Sequence, residues 1–235
     1  DFFPPWLGTT RAGAVANPIN LGLERDVGRV AYMLEKTRAK VLILEKAFSS
    51  LAAEVKRVRP AVQVAFIDDA GGDFDWPGQM QRARSAPPAR QEREAASLDA
   101  PFQMIFTSGT TGLPKAVVQR HGMVADALCL AEHFQFRADD VWMCVLPFFH
   151  VNAQYTSFFP ALAAGGRLVL FEKFSASRFF PAMRAEGVSH VSVVPSLLTR
   201  LLAHGVPGPA ERPPTLRFII CGAAPLAAQL HRAVM

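Results

Sequence analysis

The chain has 235 residues, of which 50% are hydrophobic and 19% are charged, and its formal net charge at pH 7 is +5. At roughly 150 residues per domain, this length and apolar content predict a globular protein with one domain or two small ones. The longest strongly apolar stretch, Val141–Phe149, is far shorter than the roughly 20 residues of a membrane-spanning helix, so no transmembrane segment is expected. The basic residues are mostly arginines scattered along the chain, which favours a solvated surface over a nucleic-acid-binding patch.

The first residue is Asp1, and no targeting segment is visible near it, so we expect the start of the gene product to be missing. Cys129, Cys144 and Cys221 are odd in number and widely spaced, which fits neither a disulfide framework nor a zinc-ligand pattern. A reduced, cytoplasmic setting is the simplest hypothesis.

Helix and strand patterns alternate in the first third of the chain. Apolar residues at helical spacing predict a helix from Asp26 to Lys36, with the aspartate near its start. A buried strand is predicted at 41–44, a helix at 51–58 and a second strand at 62–67. This strand, helix, strand order is typical of parallel sheets with crossover helices.

Residues 70–100 show no clear period and are predicted to form a long surface connection with one short helix at most. Beyond this connection, apolar runs predict further strands at 102–106, 141–146, 167–171, 191–194 and 216–221. Helical patterns are found at 122–134, 175–185, 196–203 and from 227 to the end.

A loop rich in hydroxyl groups and glycine directly follows the apolar strand that ends at Phe106. It runs Thr107-Ser108-Gly109-Thr110-Thr111-Gly112-Leu113-Pro114-Lys115. Glycines let the backbone N–H groups approach a phosphate closely, hydroxyls add donors, and the lysine supplies a point charge. This composition predicts a phosphate-binding loop.

Two alternatives exist for this loop. One is an ordinary Ser/Thr/Gly-rich turn between a strand and a helix. The other is the Walker phosphate loop, which is disfavoured because Gly109 and Gly112 are only three residues apart, Pro114 precedes the lysine and Ala116 follows it.

Thr107–Lys115 resembles the phosphate-loop signature of the adenylate-forming superfamily, which contains acyl-CoA synthetases, luciferases and peptide-synthetase adenylation domains. Further segments resemble that superfamily in the expected order along the chain: 6–20, 146–150, 194–196 and 221–226. The resemblance covers essentially the whole chain. It implies an α/β fold, the large N-terminal domain of the acyl-CoA synthetase-like fold with two α/β sheet subdomains, incomplete at both ends. Residues 1–138 would form the first subdomain with the phosphate loop, and 139–235 part of the second with acyl and adenine pocket segments.

The segment Phe149-His150-Val151-Asn152-Ala153-Gln154 indicates the branch of the superfamily. Amino-acid-activating domains typically carry an aspartate after the phenylalanine, which pairs with the ammonium group of the substrate. Here His150 stands in that place, so the resemblance implies a carboxylic acid without an α-amino group. The segment is similar to those of fatty-acyl and of carnitine- or crotonobetaine-type CoA ligases.

The resemblance also implies a reaction and its site residues. The acid would attack the α-phosphorus of ATP to give acyl-AMP, and coenzyme A would then displace AMP. The β- and γ-phosphates of ATP would be held by Thr107, Ser108, Gly109, Thr110, Thr111, Gly112 and Lys115. Thr107 would lie near Mg²⁺, and Lys115 and His150 would be the catalytic residues. The adenine and acyl pocket would be lined by Gly222, Ala223, Ala224 and Pro225.

The chain stops before several motifs of the superfamily, so we expect little ligase activity, exposed apolar surface and unpaired sheet edges in the 235-residue chain alone. Two alternatives to an acid–thiol ligase are an inactive nucleotide-binding remnant of the same ancestry and an adenylation domain that loads a carrier protein instead of CoA.

Overall fold

The computed structural model describes residues 2–20, 22, 26–85, 97–107, 113–208 and 212–234. The chain divides into two compact units, Asp1–His121 and Gly122–Met235. This division lies earlier than the sequence boundary expected at 138, because the helix Gly122–His133 packs against a helix of the second unit, Phe159–Ala164. None of the described helices is long and apolar enough to cross a membrane.

The first unit combines helices with two small sheets. Its described elements are α1 (Phe3–Arg11), α2 (Val27–Lys36), β1 (Val41–Leu44), a 3₁₀ turn (Lys46–Phe48), α3 (Ser49–Val58), β2 (Gln63–Phe66), α4 (Trp76–Ser85), β3 (Pro101–Thr107) and β4 (Lys115–Arg120). Strands β1 and β2 are parallel and joined through α3, which confirms the predicted strand, helix, strand unit. Helices α2 and α3 bury Val30, Leu34 and Val55 against Leu42 of β1 and against Val62, which directly precedes β2.

Helix α2 has a defined cap at each end. At its start, the carboxylate of Asp26 accepts a hydrogen bond from the N–H of Arg29 at 2.8 Å, a contact that contributes about 1 kcal/mol to helix stability. At its end, the N–H groups of Arg38 and Ala39 donate to carbonyls of the last turn, and Arg38 has a φ of 53°. Glycine is the usual residue in this left-handed position, and a residue with a Cβ costs about 1 kcal/mol there.

Strands β3 and β4 form an antiparallel hairpin, in which Thr107 lies opposite Lys115 and Phe106 opposite Ala116. Strand β3 was predicted, but β4 was not, because the sequence analysis placed a helix as the next element after the loop. The signal for β4 was the β-branched pair Val117-Val118.

The second unit is built around a sheet of four parallel strands in its described part, in the order β6-β5-β7-β8. Its elements are α5 (Gly122–His133), β5 (Val141–Cys144), α6 (Val151–Ala153), a π-helical turn (Gln154–Phe158), α7 (Phe159–Ala164), β6 (Arg167–Leu170), α8 (Ala176–Glu186), β7 (His190–Val193), α9 (Pro195–His204), β8 (Phe218–Cys221) and α10 (Ala228–Val234). The predicted parallel sheet is confirmed. The helical segment 151–164 was not predicted.

The core of the second unit lies between β5, β7 and the helices α8 and α9. Met143, Met183, Val188 and Val193 are completely buried there. Helix α8 ends at Gly187, whose φ of 63° suits the left-handed cap, so this glycine occupies the position that Arg38 occupies at the end of α2.

A buried charged cluster lies at the amino edge of this sheet, just before β5, β7 and β8 begin. Oδ2 of Asp140 lies 2.7 Å from Nη1 of Arg217 and 3.0 Å from Nε2 of His190, although the imidazole is not aligned for a hydrogen bond. The N–H of Arg137 donates to the same carboxylate oxygen at 2.8 Å. Burial alone would raise the pKa of Asp140, but the contacts with His190, the N–H of Arg137 and Arg217 outweigh it and lower that pKa to about 2. We call Asp140, His190 and Arg217 the Asp140 cluster.

Aromatic rings enclose the imidazole of this cluster. His190 stacks on Trp142 with ring centroids 4.7 Å apart and on Phe218 with centroids 5.3 Å apart. Desolvation by these surroundings lowers the pKa of His190 despite the nearby carboxylate. The imidazole is therefore neutral at pH 7 and packs as part of the core.

Candidate active site

The hairpin of the first unit places the two described ends of the predicted phosphate loop side by side. Thr107 is the last residue of β3 and Lys115 the first of β4, and the two are register partners with exposed side chains. The hydroxyl group and the ammonium group therefore stand at the mouth of the loop that joins the strands. Ser108, Gly109, Thr110, Thr111 and Gly112 lie outside the described residues, so their predicted role stays a prediction.

Helix α2 supports the end of this loop through a tyrosine that the sequence analysis missed. The hydroxyl of Tyr32 donates to the carbonyl oxygen of Pro114 at 3.3 Å, and Pro114 is buried. Because proline has no N–H, its carbonyl is the main-chain group through which this position can be held by a hydrogen bond. Tyr32 thus links the residue before Lys115 to an element 82 residues earlier in the sequence.

A buried chain of side-chain hydrogen bonds fixes the register of the hairpin. Nε1 of Trp6 donates to Oε1 of Gln103 at 2.9 Å, and Nε2 of Gln103 donates to Oε1 of Gln119 at 2.5 Å. Both glutamines are buried, so breaking either bond would leave a polar group without a partner in the interior. Since one face of the hairpin is held this way, Thr107 and Lys115 stay opposite each other.

In the second unit, three segments with family-like sequences follow strands of the parallel sheet. Residues 146–150 follow β5, 194–196 follow β7, and 222–226 follow β8. Because the strands are parallel, all three segments lie at the carboxyl edge. The connection after β5 leads to β6 on one side, whereas that after β7 leads to β8 on the other, so the strand order reverses between β5 and β7. Such a switch point is where ligands bind in open α/β sheets.

His150 lies at the end of a tight turn just before α6. Its N–H donates to the carbonyl of Pro147 at 3.1 Å, and its ring centroid is 4.3 Å from that of Phe149. Buried Gln154 holds the turn, since its Nε2 donates to the carbonyl of Phe148 at 2.6 Å. The imidazole keeps substantial exposure, yet desolvation lowers the pKa of His150, so the ring is neutral at pH 7.

The predicted pocket segment Gly222–Pro225 continues β8 beyond its end. The N–H of Gly222 donates to the carbonyl of Val193 at 3.2 Å. Ala223 has a φ of 67°, which an alanine rarely adopts and which marks a strained position at this edge. Ala223, Ala224 and Pro225 are exposed, so this backbone is open to a ligand.

Asn152 joins the segment after β5 to strand β7, and the sequence analysis assigned it no contact. Its side-chain oxygen lies 2.6 Å from the hydroxyl of Ser192 and 2.8 Å from that of Thr156. A Cβ placed on Gly222 would lie 3.7 Å from Nδ2 of Asn152, an ordinary van der Waals distance. The amide group is therefore held between β7 and the loop after β8. Nothing local in the sequence indicated this contact, because Ser192 lies 40 residues away.

Among the described residues, no group of three or more His, Cys, Asp or Glu side chains is arranged to hold a metal ion. The predicted metal-binding group, the hydroxyl of Thr107, is a hard oxygen donor of the kind that Mg²⁺ accepts together with waters and phosphate oxygens. A loop of phosphate-binding composition on a hairpin and a parallel sheet with a switch point are together typical of nucleotide-binding α/β proteins.

Comparison with known proteins agrees with this class. The chain matches the AMP-binding enzyme family over residues 2–235, and it belongs to that family. It is 30% identical over 229 residues to the crotonobetaine/carnitine–CoA ligase of Salmonella enteritidis PT4 (strain P125109), and the match covers 94% of this chain and 43% of that protein. The chain therefore spans less than half the length of this relative.

Solved structures with the same fold include ATP-bound MatB from Rhodopseudomonas palustris, with 25% identity and a TM-score of 0.78 over 97% of this chain and 43% of that one. The inhibitor-bound N-terminal domain of FACL13 from Mycobacterium tuberculosis has 28% identity and a TM-score of 0.76 over 97% of this chain and 55% of that one. These matches confirm the predicted fold, the N-terminal domain of the acyl-CoA synthetase-like enzymes.

Proposed function

We propose that this chain carries the ATP- and acid-binding part of an AMP-forming acid–thiol ligase, which activates a carboxylic acid as acyl-AMP and transfers the acyl group to coenzyme A. The observation that carries the proposal is the hairpin that sets the Thr107 hydroxyl opposite the Lys115 ammonium group, at the two ends of a Gly/Ser/Thr loop. Membership of the AMP-binding enzyme family supports it.

In the first step, a carboxylate oxygen of the acid bonds to the α-phosphorus of ATP, and the bond from that phosphorus to the bridging oxygen breaks, so pyrophosphate leaves with the electron pair. Lys115 and the donors of Thr107, Ser108, Gly109, Thr110, Thr111 and Gly112 hold the β- and γ-phosphates and stabilise the leaving charge. The Thr107 hydroxyl would bind Mg²⁺ in this proposal, and the ion would neutralise phosphate charge.

In the second step, the sulfur of coenzyme A bonds to the acyl carbonyl carbon, AMP leaves, and the thiol proton is released. His150 lies beside the acyl carboxylate in this proposal, where a neutral imidazole avoids binding the acid as a fixed ion pair. The backbone at Gly222 and at the exposed residues Ala223, Ala224 and Pro225 packs against the adenine ring and the acyl group, and small side chains allow this close approach.

The substrate in this proposal is a fatty or related acyl acid without an α-amino group. His150 stands where amino-acid-activating relatives carry a carboxylate, so the chain lacks an anionic partner for a substrate ammonium group at that position. The similarity to a crotonobetaine/carnitine–CoA ligase favours coenzyme A as the acceptor. A carrier protein as acceptor and an inactive nucleotide-binding remnant are the alternatives, and a cytoplasmic setting belongs to the same proposal.

The full-length protein with Lys115→Ala tests the phosphate-loop assignment. Loss of one charge-assisted contact of about 1.5–3 kcal/mol predicts a roughly 10- to 100-fold fall in kcat/KM for ATP, with unchanged thermal stability because the side chain is exposed. The measurement is acid-dependent exchange of labelled pyrophosphate into ATP, followed by AMP release with coenzyme A or with a phosphopantetheinylated carrier protein.

Lys46→Ala is the matched control, because Lys46 is an exposed lysine of the same unit that pairs with Asp69 at 2.9 Å. We expect its kinetics in ATP to be those of the unmodified protein. Equal kcat/KM values for Lys115→Ala and the unmodified protein would remove Lys115 from the site. Nucleotide binding without exchange, for every acid tested, would favour the inactive remnant.

A further inference from the structure

An open depression of about 410 Å³ lies on the first unit, at the amino edge of β1 and β2. It is lined by residues 38–40, which lead from α2 into β1, and by residues 58–62, which lead from α3 into β2. Its volume falls within the range of small-molecule sites. The loop between β3 and β4 belongs to a different sheet, so this depression is separate from the proposed phosphate loop.

The lining combines an apolar floor with cations at the rim. Val58, Pro60 and Ala61 supply exposed apolar surface, and Arg38 and Lys40 have exposed side chains with no hydrogen bond or ion pair within the described part of the chain. A third lining cation, Arg59, pairs with the carboxylate of Glu35 at 3.1 Å. Three cations and one carboxylate leave a local net charge of +2.

Four other basic side chains of this unit are neutralised. Arg29, Lys46, Lys56 and Arg57 each have a carboxylate within 2.7–3.3 Å. Arg38 and Lys40 thus differ from these neighbours in having no partner among the described residues. Two neighbouring cations that have no carboxylate partner are complementary in charge to an anion that carries about two negative charges.

The backbone at Arg38 is a second observation. Helices α2, α5 and α8 all end with the same pair of hydrogen bonds and a residue of positive φ, which is Arg38, Gln135 and Gly187 respectively. At Gln135 the backbone carbonyl oxygen accepts a hydrogen bond from Arg217, and a residue of any type in this position has such a carbonyl. The C-terminal dipole of α2 attracts cations, but Lys36 in its last turn already meets that need. Arg38 thus adds a guanidinium group to the lining of the depression at a position where glycine is usual.

We propose that this depression binds a small organic phosphate. The guanidinium of Arg38 and the ammonium of Lys40 hold the phosphate dianion, and the apolar part of the molecule covers Val58, Pro60 and Ala61. Planar guanidinium groups bind phosphate through paired hydrogen bonds, whereas lysine adds a point charge. Inorganic phosphate should bind less tightly than an organic phosphate, because it has no apolar part and would leave the apolar floor exposed to water.

The test uses the full chain with Lys115→Ala, so that binding at the proposed phosphate loop is weakened. Isothermal titration calorimetry at pH 7.5 measures phenyl phosphate, inorganic phosphate and phenol as probes. We expect one site for phenyl phosphate, binding at least 5-fold weaker for inorganic phosphate, and none for phenol. Because the contact is between charges, raising the salt from 50 to 500 mM should weaken phenyl phosphate binding.

Arg38→Gly separates binding from folding, because it removes the guanidinium and also relieves the backbone strain. Affinity for phenyl phosphate should fall at least 10-fold while the Tm rises by about 2–4 °C. Gln135→Gly is the matched control and should raise the Tm similarly with unchanged affinity. Lys40→Gln should also weaken binding, and Arg38→Lys should restore part of it.

The proposal fails if phenyl phosphate does not bind, or if its affinity is the same in Arg38→Gly and Lys40→Gln as in the parent chain. It also fails if phenol binds as well as phenyl phosphate, because the cations would then have no part in recognition. These outcomes leave the acid–thiol ligase proposal untouched, since its test depends on Lys115.

Discussion

Replacing Asp140 with asparagine removes the charge of the Asp140 cluster but keeps its shape and an oxygen that can accept from the N–H of Arg137. The folded protein lowers the pKa of Asp140 from 3.8 to about 2. At about 1.36 kcal/mol per pKa unit, this shift corresponds to roughly 2.4 kcal/mol of stabilisation at pH 7. Asp140 is only 1% exposed and Arg217 27%, so little of this energy is lost to solvent screening. We expect Asp140→Asn to lower the free energy of unfolding by about 2 kcal/mol.

The pH dependence of this difference follows from the sign of the shift. A lowered carboxyl pKa stabilises the fold above the unfolded value of 3.8, and the stabilisation is lost as the pH falls towards 2. The contribution of the Asp140 carboxyl to this difference should therefore be constant from pH 7 to 5 and fall to about half at pH 3. His190 also has a lowered pKa, so acid below about pH 6.5 destabilises both proteins, and it destabilises the variant somewhat more because the carboxylate that raises the pKa of His190 is missing there.

Urea unfolding followed by tryptophan fluorescence measures the difference at pH 7, 5 and 3. Asp139→Asn is the control, because Asp139 is the adjacent carboxylate, 76% exposed, and pairs with Arg137 at 3.1 Å. Such a surface pair contributes a few tenths of a kcal/mol. The reasoning is refuted if Asp140→Asn differs from the unmodified chain by less than about 0.5 kcal/mol at pH 7, or if the deficit is the same at pH 3.

Two further substitutions test the packing near the sheet and the site. Gly166→Ala would place a Cβ 2.4 Å from a ring carbon of Trp142 and 2.8 Å from the carbonyl oxygen of Asp140, so we expect urea unfolding to show a loss of about 1–3 kcal/mol in the free energy of unfolding. Gly8→Ala is the control, because the space around Gly8 is open and the alanine should stabilise α1 by up to about 1 kcal/mol. Equal effects of the two substitutions would contradict the predicted clash at Gly166. Gln154→Leu removes the donor to the carbonyl of Phe148, so we expect the free energy of unfolding to fall by about 1–3 kcal/mol and hydrogen exchange at the N–H of His150 to become faster. Unchanged exchange at this N–H would show that the turn does not depend on Gln154.

The parts of the fold that were predictable are those whose local pattern and tertiary setting agree. Asp26 before apolar residues at helical spacing predicted α2, and its carboxylate does cap that helix. Strand β5 was predicted from a run of apolar residues, and all four residues of Val141–Cys144 are buried, as expected for a strand with both faces covered.

The missed elements had patterns that conflict with their final structure. Helix α1 was not predicted, and its Pro4 and Pro5 lie in the first turn, where a helix tolerates proline. In 151–164, a π-helical turn shifts the phase of the helix at Gln154–Phe158, so the apolar residues do not keep one helical period. In strand β4 the successive residues Val117 and Val118 are both about half exposed, so the strand lacks the usual alternation of buried and exposed side chains.

The candidate site also has parts that were predicted from the sequence and parts that were missed. Segments 146–150, 194–196 and 221–226 were identified by their resemblance to the adenylate-forming superfamily, and in the structure each lies at the end of a strand or directly after one. Tyr32 and Asn152 were not identified as supports, since their partners are distant in sequence and the contacts depend on how the elements pack. Sequence patterns therefore indicate which chain segments reach the edge of a sheet, whereas the side chains that hold those segments are defined by tertiary structure.

The two edges of the second unit's sheet hold their polar groups differently. At the amino edge, Asp140 and His190 are buried and enclosed by partners. At the carboxyl edge, His150 and Ala223 are exposed, and Ala223 has a strained backbone. Because parallel strands separate these edges, the Asp140 cluster stabilises the strands without touching groups that would bind a ligand. In the full-length protein, well below its Tm, Asp140→Asn should therefore leave KM for ATP and for the acid unchanged. A change in both KM values would mean that the loss of charge distorts the strands along their length.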